Sequence, residues 1–396
     1  MSLRTDIAVM PRPVWVLFAG TLVNRFGSFV LVFLALYLTR KGFSAPQAGF
    51  ALGAYGVGAI GASIVGGWLA DHIGRRNSIV LSMLLSAAVM LAFLGAEGYL
   101  LLVVLAALAG FCAELYRPAA SALIADVTEP AQRVTAYALY RLAINLGFAV
   151  GPAVGGFIAE RSFTLLFVGD AITSVIYAGI ALFALPNRVG EQHETDERRS
   201  ALPVILRDTP FLLFIASTLA ASAVFMQFVS SYPLQVEAYG HSSAMFGILI
   251  SMNGVIICLT ELPLTSYTRR RPARRVMTLG MLVIGAGFLM TGFVRSVPLL
   301  MLTVVVWTVG EMLYFPMASA HVANVSPPDM RGRYQGAWGI AWGFGAVLGP
   351  VGGTALFALD PRMVWFVCAL VSAVGAWLVL HATRVTQPVV PAASQV

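Results

Sequence analysis

The sequence predicts an all-α integral membrane protein in which twelve transmembrane helices form two six-helix bundles related by a parallel repeat. Composition supports this fold class, because 59% of the residues are apolar and only 11% are charged, whereas charged residues make up about 25% of an average soluble domain. Apolar stretches of about 20 residues, long enough to cross the hydrocarbon core, occur twelve times along the chain. The third observation is a long internal repeat.

The repeat relates residues 113–156 to residues 311–354 at a constant offset of 198 residues, which is half of the 396-residue chain. Tyr116 of the first copy, for example, corresponds to Tyr314 of the second. Each copy crosses an apolar stretch, makes a short polar turn and crosses back. Parallel repeats of this kind are typical of membrane transporters.

The predicted spans divide the chain into two halves of six. Their approximate limits are 14–38, 46–69, 77–96, 99–125, 134–159, 163–185, 210–235, 243–267, 276–295, 298–324, 333–358 and 362–382. Residues 1–185 are therefore expected to form the N-terminal bundle and residues 210–385 the C-terminal bundle. The polar segment 186–209 is expected to be a cytoplasmic linker, and the tail 386–396 to be disordered.

The basic residues predict the orientation of the chain in the membrane. Of the 25, 17 fall in segments on the side of the two termini, five on the opposite side and three within helices. Because cytoplasmic loops are enriched in Lys and Arg, both termini are predicted to be cytoplasmic, with the protein in the inner membrane of the cell. The net charge of +7 then reflects orientation and contact with anionic lipids, and it does not indicate nucleic-acid binding.

The turn between the second and third spans carries a motif of Gly67, Asp71, Gly74, Arg75 and Arg76 within the sequence GGWLADHIGRR. The glycines allow a tight turn, and Asp71 is expected to pair with Arg75 and to cap nearby backbone donors. This motif resembles the loop signature of the major facilitator superfamily. The twelve spans and the half-length repeat extend the resemblance over nearly the whole chain.

The resemblance implies that this turn is a conformational gate. Asp71 would also meet Asp126, at the cytoplasmic end of the fourth span, and the start of the eleventh span in the second bundle. Contacts that form in only one conformation bias the equilibrium between conformations. The alternative is an ordinary surface ion pair, which is worth about 0 to 1 kcal/mol.

The fifth span contains GFAVGPAVGG, which resembles the glycine and proline motif of the drug:proton antiporter branch of the same family. Its residues are Gly147, Gly151, Pro152, Gly155 and Gly156. Glycines four apart share one helix face and allow another backbone to approach closely, and a proline can bend the helix. The resemblance implies a seal on the periplasmic side, and tight helix packing alone is the alternative.

Ionisable side chains within the spans are the main functional candidates, because they are costly in a bilayer and mark substrate or proton pathways. The candidates for proton coupling are Glu114, Glu311 and Asp170. Glu114 and Arg117 are three residues apart and share a helix face, so they can pair. That pair is interpreted either as part of a proton site or as a permanent ion pair that fixes helix packing.

Candidate substrate-binding residues are polar or aromatic and are expected on the walls of a central cavity. They are Arg25, Arg117, Arg141, Asn145, Gln227, Tyr314, Trp338 and Trp342. The resemblance implies that the first, fourth, seventh and tenth spans line this cavity. A broad apolar and aromatic cavity with few charges favours amphipathic compounds over sugars or ions.

These features predict a secondary transporter that exports amphipathic compounds in exchange for protons by alternating access, with the proton gradient as energy source and no cofactor or metal. The alternatives are a transporter of one specific metabolite, such as an organic anion, peptide, sugar or lysolipid, and a transport-dead membrane sensor or scaffold. An enzyme is not predicted, because the sequence offers no nucleophile with a base, phosphate loop or metal cluster. The expected partners are a small-molecule substrate, protons and membrane lipids, without nucleic acid, and the chain is expected to be a monomer.

Overall fold

The computed structural model describes residues 10–129, 132–187, 202–268, 270–327 and 330–382. These residues contain twelve helical spans long and apolar enough to cross a membrane, and no strand occurs within the described ranges. The twelve-span, all-α fold predicted from the sequence is confirmed. Residues 188–201 of the predicted linker and the predicted tail 386–396 lie outside the described residues.

The first six spans pack into an N-terminal bundle and the last six into a C-terminal bundle. The N-terminal spans are α1, split into α1a (Arg12–Gly27) and α1b (Val30–Arg40), α2 (Ala45–His72), α3 (Arg75–Ala92), α4, split into α4a (Tyr99–Glu114) and α4b (Arg117–Val127), α5 (Arg133–Arg161) and α6 (Phe163–Ala184). The C-terminal spans are α7, split into α7a (Thr209–Phe225) and α7b (Ser231–Ala238), α8 (Ser243–Thr268), α9 (Ala273–Thr291), α10 (Val297–Val325), α11 (Arg331–Leu359) and α12 (Met363–Ala382). A short helix, Leu202–Arg207, precedes α7a.

Successive spans run in opposite directions, so the turns lie on two faces of the molecule. The terminal face contains the start of α1, the end of α12 and the turns after the other even-numbered spans. The distal face contains the turns after the odd-numbered spans.

Side-chain caps explain where two of the helices begin. At the start of α2, the backbone N–H of Gln47 donates to the Ser44 hydroxyl at 3.4 Å, and the Gln47 side chain accepts from the backbone N–H of Ser44 at 2.8 Å. This reciprocal pair is a capping box. At the start of α7a, Asp208 accepts from the backbone N–H of Phe211 at 3.1 Å and from the Tyr334 hydroxyl of α11 at 3.0 Å.

Three spans that the sequence pattern predicts as continuous are interrupted in the structure. The break in α4 lies at Leu115 and Tyr116. Pro118 follows in the first turn of α4b, because its ring and missing N–H are unfavourable inside a helix but tolerated near its start. Its repeat counterpart Pro316 nevertheless lies within the continuous helix α10. α1 breaks at Ser28 and Phe29, and α7 breaks around a 3-10 turn at Met226–Phe228.

The two bundles meet along two helix pairs, α2 with α11 and α5 with α8. Close backbone contact occurs in the distal halves of these helices. A Cβ atom at Gly49 of α2 would overlap Thr354 of α11, and one at Gly247 of α8 would overlap the backbone of Pro152 in α5. Glycine is therefore needed at these positions for the helices to approach so closely.

Polar contacts also join the bundles at the distal face. Arg40 at the end of α1b donates to Glu237 of α7b at 3.1 Å and to Ser243 of α8 at 2.7 Å. The Glu160 carboxylate at the end of α5 accepts from the backbone N–H of Ala244 at 3.2 Å. We call these contacts the distal seal.

Towards the terminal face the bundles separate. The side chains of Arg117 and Arg141 are 53% and 59% exposed, although both residues lie inside membrane spans. A Cβ atom at Gly67 of α2, or at Gly336 or Gly339 of α11, would meet no described atom within 4 Å. The bundles therefore enclose a cavity that is closed at the distal face and open towards the terminal face.

Candidate functional site

On the N-terminal side of the cavity, three charged side chains form one cluster. The Glu114 carboxylate accepts a hydrogen bond from Arg25 of α1a at 3.2 Å and another from Arg117 of α4b at 2.6 Å. Arg25 also donates to the Tyr116 hydroxyl at 3.1 Å. The break in α4 produces this arrangement, because α4a ends at Glu114 and α4b begins at Arg117. The pair of Glu114 and Arg117 expected from the sequence is present, and Arg25 joins it.

This cluster has spare hydrogen-bond donors. Its two arginines and one carboxylate give a net charge of +1. Within the described protein, Arg25 Nε and the buried Tyr140 hydroxyl have no hydrogen-bond partner. Because an unpaired buried donor costs free energy, these groups are available to bind water or a polar group of a substrate.

An ion pair between Arg141 of α5 and Glu261 of α8 crosses from one bundle to the other. The Glu261 side chain is 15% exposed. Arg141 and Asn145 are both candidate substrate-binding residues, four residues apart on α5, and Asn145 is partly buried. Glu261 was not predicted from the sequence as a partner of Arg141. Relative movement of α5 and α8 must stretch or break this pair.

The Glu311 carboxylate of α10 has a different environment. It accepts a hydrogen bond from the side-chain amide of Asn253 in α8 at 2.8 Å. Among the described residues Glu311 makes no ion pair, whereas Glu114 and Glu261 each do. Glu311 lies close enough to Arg141 and Glu261 to interact electrostatically with both.

Asp170 of α6, the third carboxylate expected to couple protons, is buried against the break in α1. It is 6% exposed, and its carboxylate lies close enough to interact with the backbone N–H groups of Phe29 and Val30 and with the Ser174 hydroxyl. The structure therefore separates Asp170 from Glu311 and gives it contacts with the backbone of another helix.

Aromatic side chains form a cluster in the C-terminal bundle. The ring of Trp342 in α11 lies 4.9 Å from that of Phe315 in α10 and 6.2 Å from that of Phe225 in α7a, measured between centroids. Trp342 and Trp338 are both partly exposed, and the Trp338 indole N–H has no hydrogen-bond partner in the described part of the chain. Both tryptophans therefore remain candidates for substrate contact.

Two other candidates have packing roles in this structure. Tyr314 is fully buried, and its hydroxyl lies 3.2 Å from that of Ser217 in α7a. Gln227 is buried, donates to the carbonyl of Gly349 in α11 at 2.8 Å and accepts from the Ser231 hydroxyl at 2.7 Å. Their polar groups are used within the protein, so neither belongs to the candidate site.

In the turn between α2 and α3, Arg75 occupies the centre of the motif. Arg75 donates to Asp71 at 2.5 Å and to Asp126 of α4b at 3.3 Å, so it bridges two carboxylates that cannot attract each other. Gly74 has a φ of +90°, which favours glycine, and Arg76 bonds to the side chain of the following asparagine. Contact of this turn with the start of α11 stays a prediction.

The glycine and proline motif of α5 packs on two neighbours. A Cβ atom at Gly147, Gly151 or Gly155 would overlap α1, and one at Gly156 would overlap the start of α8 in the other bundle. The helix continues through Pro152, whose backbone contacts α8. Tight packing accounts for every glycine of the motif in this conformation, and a role in sealing the periplasmic side stays a prediction.

Two six-helix bundles with charged residues between their membrane spans have the architecture of a multi-pass membrane transporter. The chain belongs to the Major Facilitator Superfamily, whose family model matches residues 17–258 and 228–395.

Relatives and a solved structure agree with this assignment. The multidrug resistance protein MdtH of Aeromonas hydrophila subsp. hydrophila is 26% identical over 378 residues, covering 94% of this chain and 92% of the relative. A Na(+), Li(+), K(+)/H(+) antiporter of Planococcus maritimus is 26% identical over 386 residues, covering 85% of this chain and 86% of the relative. The crystal structure of the nucleoside transporter NupG has the same fold, with a TM-score of 0.80, 15% identity and coverage of 95% of this chain and 100% of that one.

Proposed function

We propose that this transporter exports amphipathic small molecules in exchange for protons by alternating access, and that Glu311 carries the proton. The proposal places the terminal face in the cytoplasm, because Arg and Lys are concentrated in the turns on that face. The cavity of this structure would then be open to the cytoplasm of the cell membrane. Substrates would enter there and leave after the distal seal has opened.

The main support for this proposal is the environment of Glu311. An ionised carboxylate inside a membrane protein is costly unless a cation or several donors compensate it. Glu114 has two arginine partners and Glu261 has one, whereas the hydrogen bond to Glu311 comes from the neutral amide of Asn253. A proton can supply the missing positive charge, so Glu311 is the carboxylate best placed to bind one from the cavity.

The neighbouring ion pair gives a route from proton binding to movement. Arg141 belongs to the N-terminal bundle, and both Glu261 and Glu311 belong to the C-terminal bundle. When Glu311 loses its proton, two carboxylates compete for the one guanidinium across the interface. Protonation removes that competition. The free energy of proton binding therefore differs between conformations in which Arg141 is near Glu311 and conformations in which it is not. Coupling requires such a difference.

The walls of the cavity support an amphipathic substrate. The cluster of Arg25, Glu114 and Arg117 lies in the N-terminal bundle, and the aromatic rings of Phe225 and Trp342 lie in the C-terminal bundle. A molecule with a polar group and an apolar body can contact both walls. The name of one relative, a multidrug resistance protein, agrees with transport of varied small molecules. The name of the other, a Na(+), Li(+), K(+)/H(+) antiporter, agrees with proton exchange but refers to inorganic cations.

The test uses purified protein in liposomes that contain a pH-sensitive dye. A proton gradient is imposed, and lipophilic cations, anions and zwitterions are added in turn. We expect one class to trigger proton movement in the native protein and in the control Glu97→Gln, which changes an exposed carboxylate on the distal face. Glu311→Gln should abolish the proton movement while substrate binding persists.

Two results would contradict the proposal in different ways. Proton movement that survives in Glu311→Gln would exclude Glu311 as the carrier. If no compound moves protons while one class still crosses the membrane, the protein is a facilitator for a specific compound.

A further inference from the structure

The first helix of each bundle breaks at an equivalent place. At the repeat offset of 198 residues, Phe29 in the break of α1 corresponds to Gln227 in the break of α7. In α7 the Gln227 amide donates to the carbonyl of Gly349, and its oxygen accepts from the hydroxyls of Ser230 and Ser231. A neutral side chain therefore satisfies the polar groups around the break in α7.

In α1 the corresponding role belongs to a carboxylate from another helix. The Asp170 carboxylate lies close enough to the backbone N–H groups of Phe29 and Val30 to interact with them. The Phe29 N–H also donates to the Gly27 carbonyl at 2.9 Å, whereas Val30 begins α1b, where a helix leaves its N–H groups without partners inside the helix. The partial positive charge at that end of α1b favours a negative group. The corresponding helix of the C-terminal bundle, α12, contains no Asp or Glu, so that bundle has no such carboxylate.

The break in α1 separates the cavity from the distal seal. α1a carries Arg25, which belongs to the charged cluster, whereas α1b carries Arg40, which contacts the C-terminal bundle. Phe33 of α1b also packs edge-on against Phe246 of α8, at 5.5 Å between ring centroids. Asp170 therefore holds the hinge between the cavity half and the sealed half of α1.

A small pocket connects this hinge with the charged cluster. Its lining combines polar residues, among them Asn24, Arg25, Ser28 and Asp170, with apolar side chains such as Phe148, and its volume is about 30 Å³. A space of this size with several polar groups can hold a water molecule. Water in the pocket would give a proton a path between the cavity and Asp170.

We propose that Asp170 is a second proton-binding site, and that its protonation loosens α1b and with it the distal seal. The ionised carboxylate stabilises the start of α1b in its present position, and a neutral carboxyl group loses most of that attraction. The hinge in α7, which Gln227 completes, does not respond to pH. This role of Asp170 is independent of whether Glu311 carries the transported proton.

Charged and titratable side chains near Asp170 come from several helices. Arg25 of α1a and Tyr55 of α2 interact with Asp170 directly. Glu114 and Arg117 of α4 interact with Tyr55, and Tyr140 of α5 and Tyr177 of α6 interact with Arg25. α3 packs along α6, but its charged residues, Arg75 and Arg76, lie at its terminal-face end. Arg25 is paired with Glu114, so its effect on Asp170 is partly compensated and a proton remains the direct means of neutralising Asp170.

The test measures the distance between the bundles at the distal face. Spin labels are attached to Glu97→Cys in the N-terminal bundle and Ser296→Cys in the C-terminal bundle, both exposed. The native cysteines to be replaced first are Cys112, Cys258 and Cys368. Distances are recorded by double electron–electron resonance in lipid nanodiscs from alkaline to acidic pH. We expect a longer distance to become populated as the pH falls.

The variants assign this response to one group. Asp170→Asn should populate the longer distance at every pH. Asp360→Asn, which removes an exposed carboxylate on the distal face, should behave like the parent protein, and Glu311→Gln should keep the pH response even when proton transport is lost. Ser174→Ala removes one donor to Asp170 and should move the midpoint of the transition without abolishing it.

Several results would overturn the inference. One is a native distance that does not change with pH, and another is an unchanged pH response in Asp170→Asn. If Asp170→Asn cannot be produced, Ser174→Ala replaces it. A pH midpoint of the distance change that is the same in Ser174→Ala as in the parent protein would also overturn the inference. If Glu311→Gln loses the pH response and Asp170→Asn keeps it, the response belongs to Glu311. That result would overturn the role of Asp170 and leave the proposed function unchanged.

Discussion

Glu114 and Glu311 lie in corresponding parts of the repeat but are not copies of each other. At the offset of 198 residues, Glu114 corresponds to Met312 and Glu311 corresponds to Ala113. Glu114 is compensated by two arginines and Glu311 is bonded to one amide. At the scale of single residues, the two carboxylates are therefore expected to differ in their effect on stability.

Replacing Glu114 by Gln should destabilise the protein more than replacing Glu311 by Gln. The first change leaves Arg25 and Arg117 without their carboxylate, and losing one partner of a buried ion pair costs on the order of 3 kcal/mol. The exposure of Arg117 reduces that cost. Thermal unfolding in detergent, followed by intrinsic fluorescence, gives the comparison. Equal midpoints for the two variants would show that the charged cluster does not stabilise the fold.

The ion pair of Arg141 and Glu261 predicts a charge-reversal experiment. Arg141→Glu and Glu261→Arg should each reduce the initial rate of transport, because each places like charges across the bundle interface. The double variant restores opposite charges and should recover much of the rate. Thermal stability should change little. The Arg141 side chain is exposed, and an exposed ion pair is worth about 0 to 1 kcal/mol.

The control for this experiment is Arg362→Glu, a reversal in an exposed turn of the distal face, which should leave transport unchanged. A double variant no faster than the single variants would show that the two side chains do not act as a pair during transport.

At the scale of helices, α2 and α11 contact each other closely through glycines in their distal halves. A Cβ atom at Gly53 or Gly56 would meet α11, whereas Gly67, near the terminal end of α2, faces open space, as does Gly339 of α11. Closing the cavity at the terminal face requires these terminal halves to approach. Gly67 and Gly339 are then expected to allow the close contact that Gly53 and Gly56 allow at the distal face.

Gly67→Leu and Gly339→Leu should therefore slow transport without disturbing the present conformation. Overpacking a helix contact costs about 1–3 kcal/mol, so the rate should fall by about tenfold or more while substrate still binds from the terminal face. Gly179→Leu is the matched control, since its Cβ would also meet no described atom within 4 Å but α6 lies outside the bundle interface. Native rates in both test variants would show that these halves of α2 and α11 do not close on each other.

At the scale of the whole molecule, two bundles joined at one face and separated at the other form a single state of an alternating-access cycle. Arg40 and Glu237 are 37% and 39% exposed, so reagents can reach this contact between the bundles. The structure predicts that transport needs this contact to open.

Linking Arg40→Cys to Glu237→Cys with a cleavable thiol reagent, in a variant without native cysteines, should stop transport. Cleaving the linker should restore it. The control pair is His241→Cys with Arg295→Cys, which joins two adjacent distal turns inside the C-terminal bundle, and its cross-link should have little effect. Undiminished transport in the cross-linked Arg40 and Glu237 variant would mean that the distal seal stays closed throughout the cycle.

The sequence by itself determined the features that depend on local pattern. Membrane spans need only about 20 apolar residues, so all twelve were predicted, together with the half-length repeat. The pairing of Glu114 with Arg117 followed from their spacing on one helix, and the tight turn at Gly74 followed from residue type.

Only the tertiary structure decided which helix faces meet. Arg25 and Glu114 are 89 residues apart, and Arg141 and Glu261 are 120 apart, so no helical period relates them. The same reason explains why Asp170 was selected as a candidate but its contact with the break in α1 was not foreseen. Helix periodicity shows which side chains share a face, but the neighbour of that face depends on how the spans pack together.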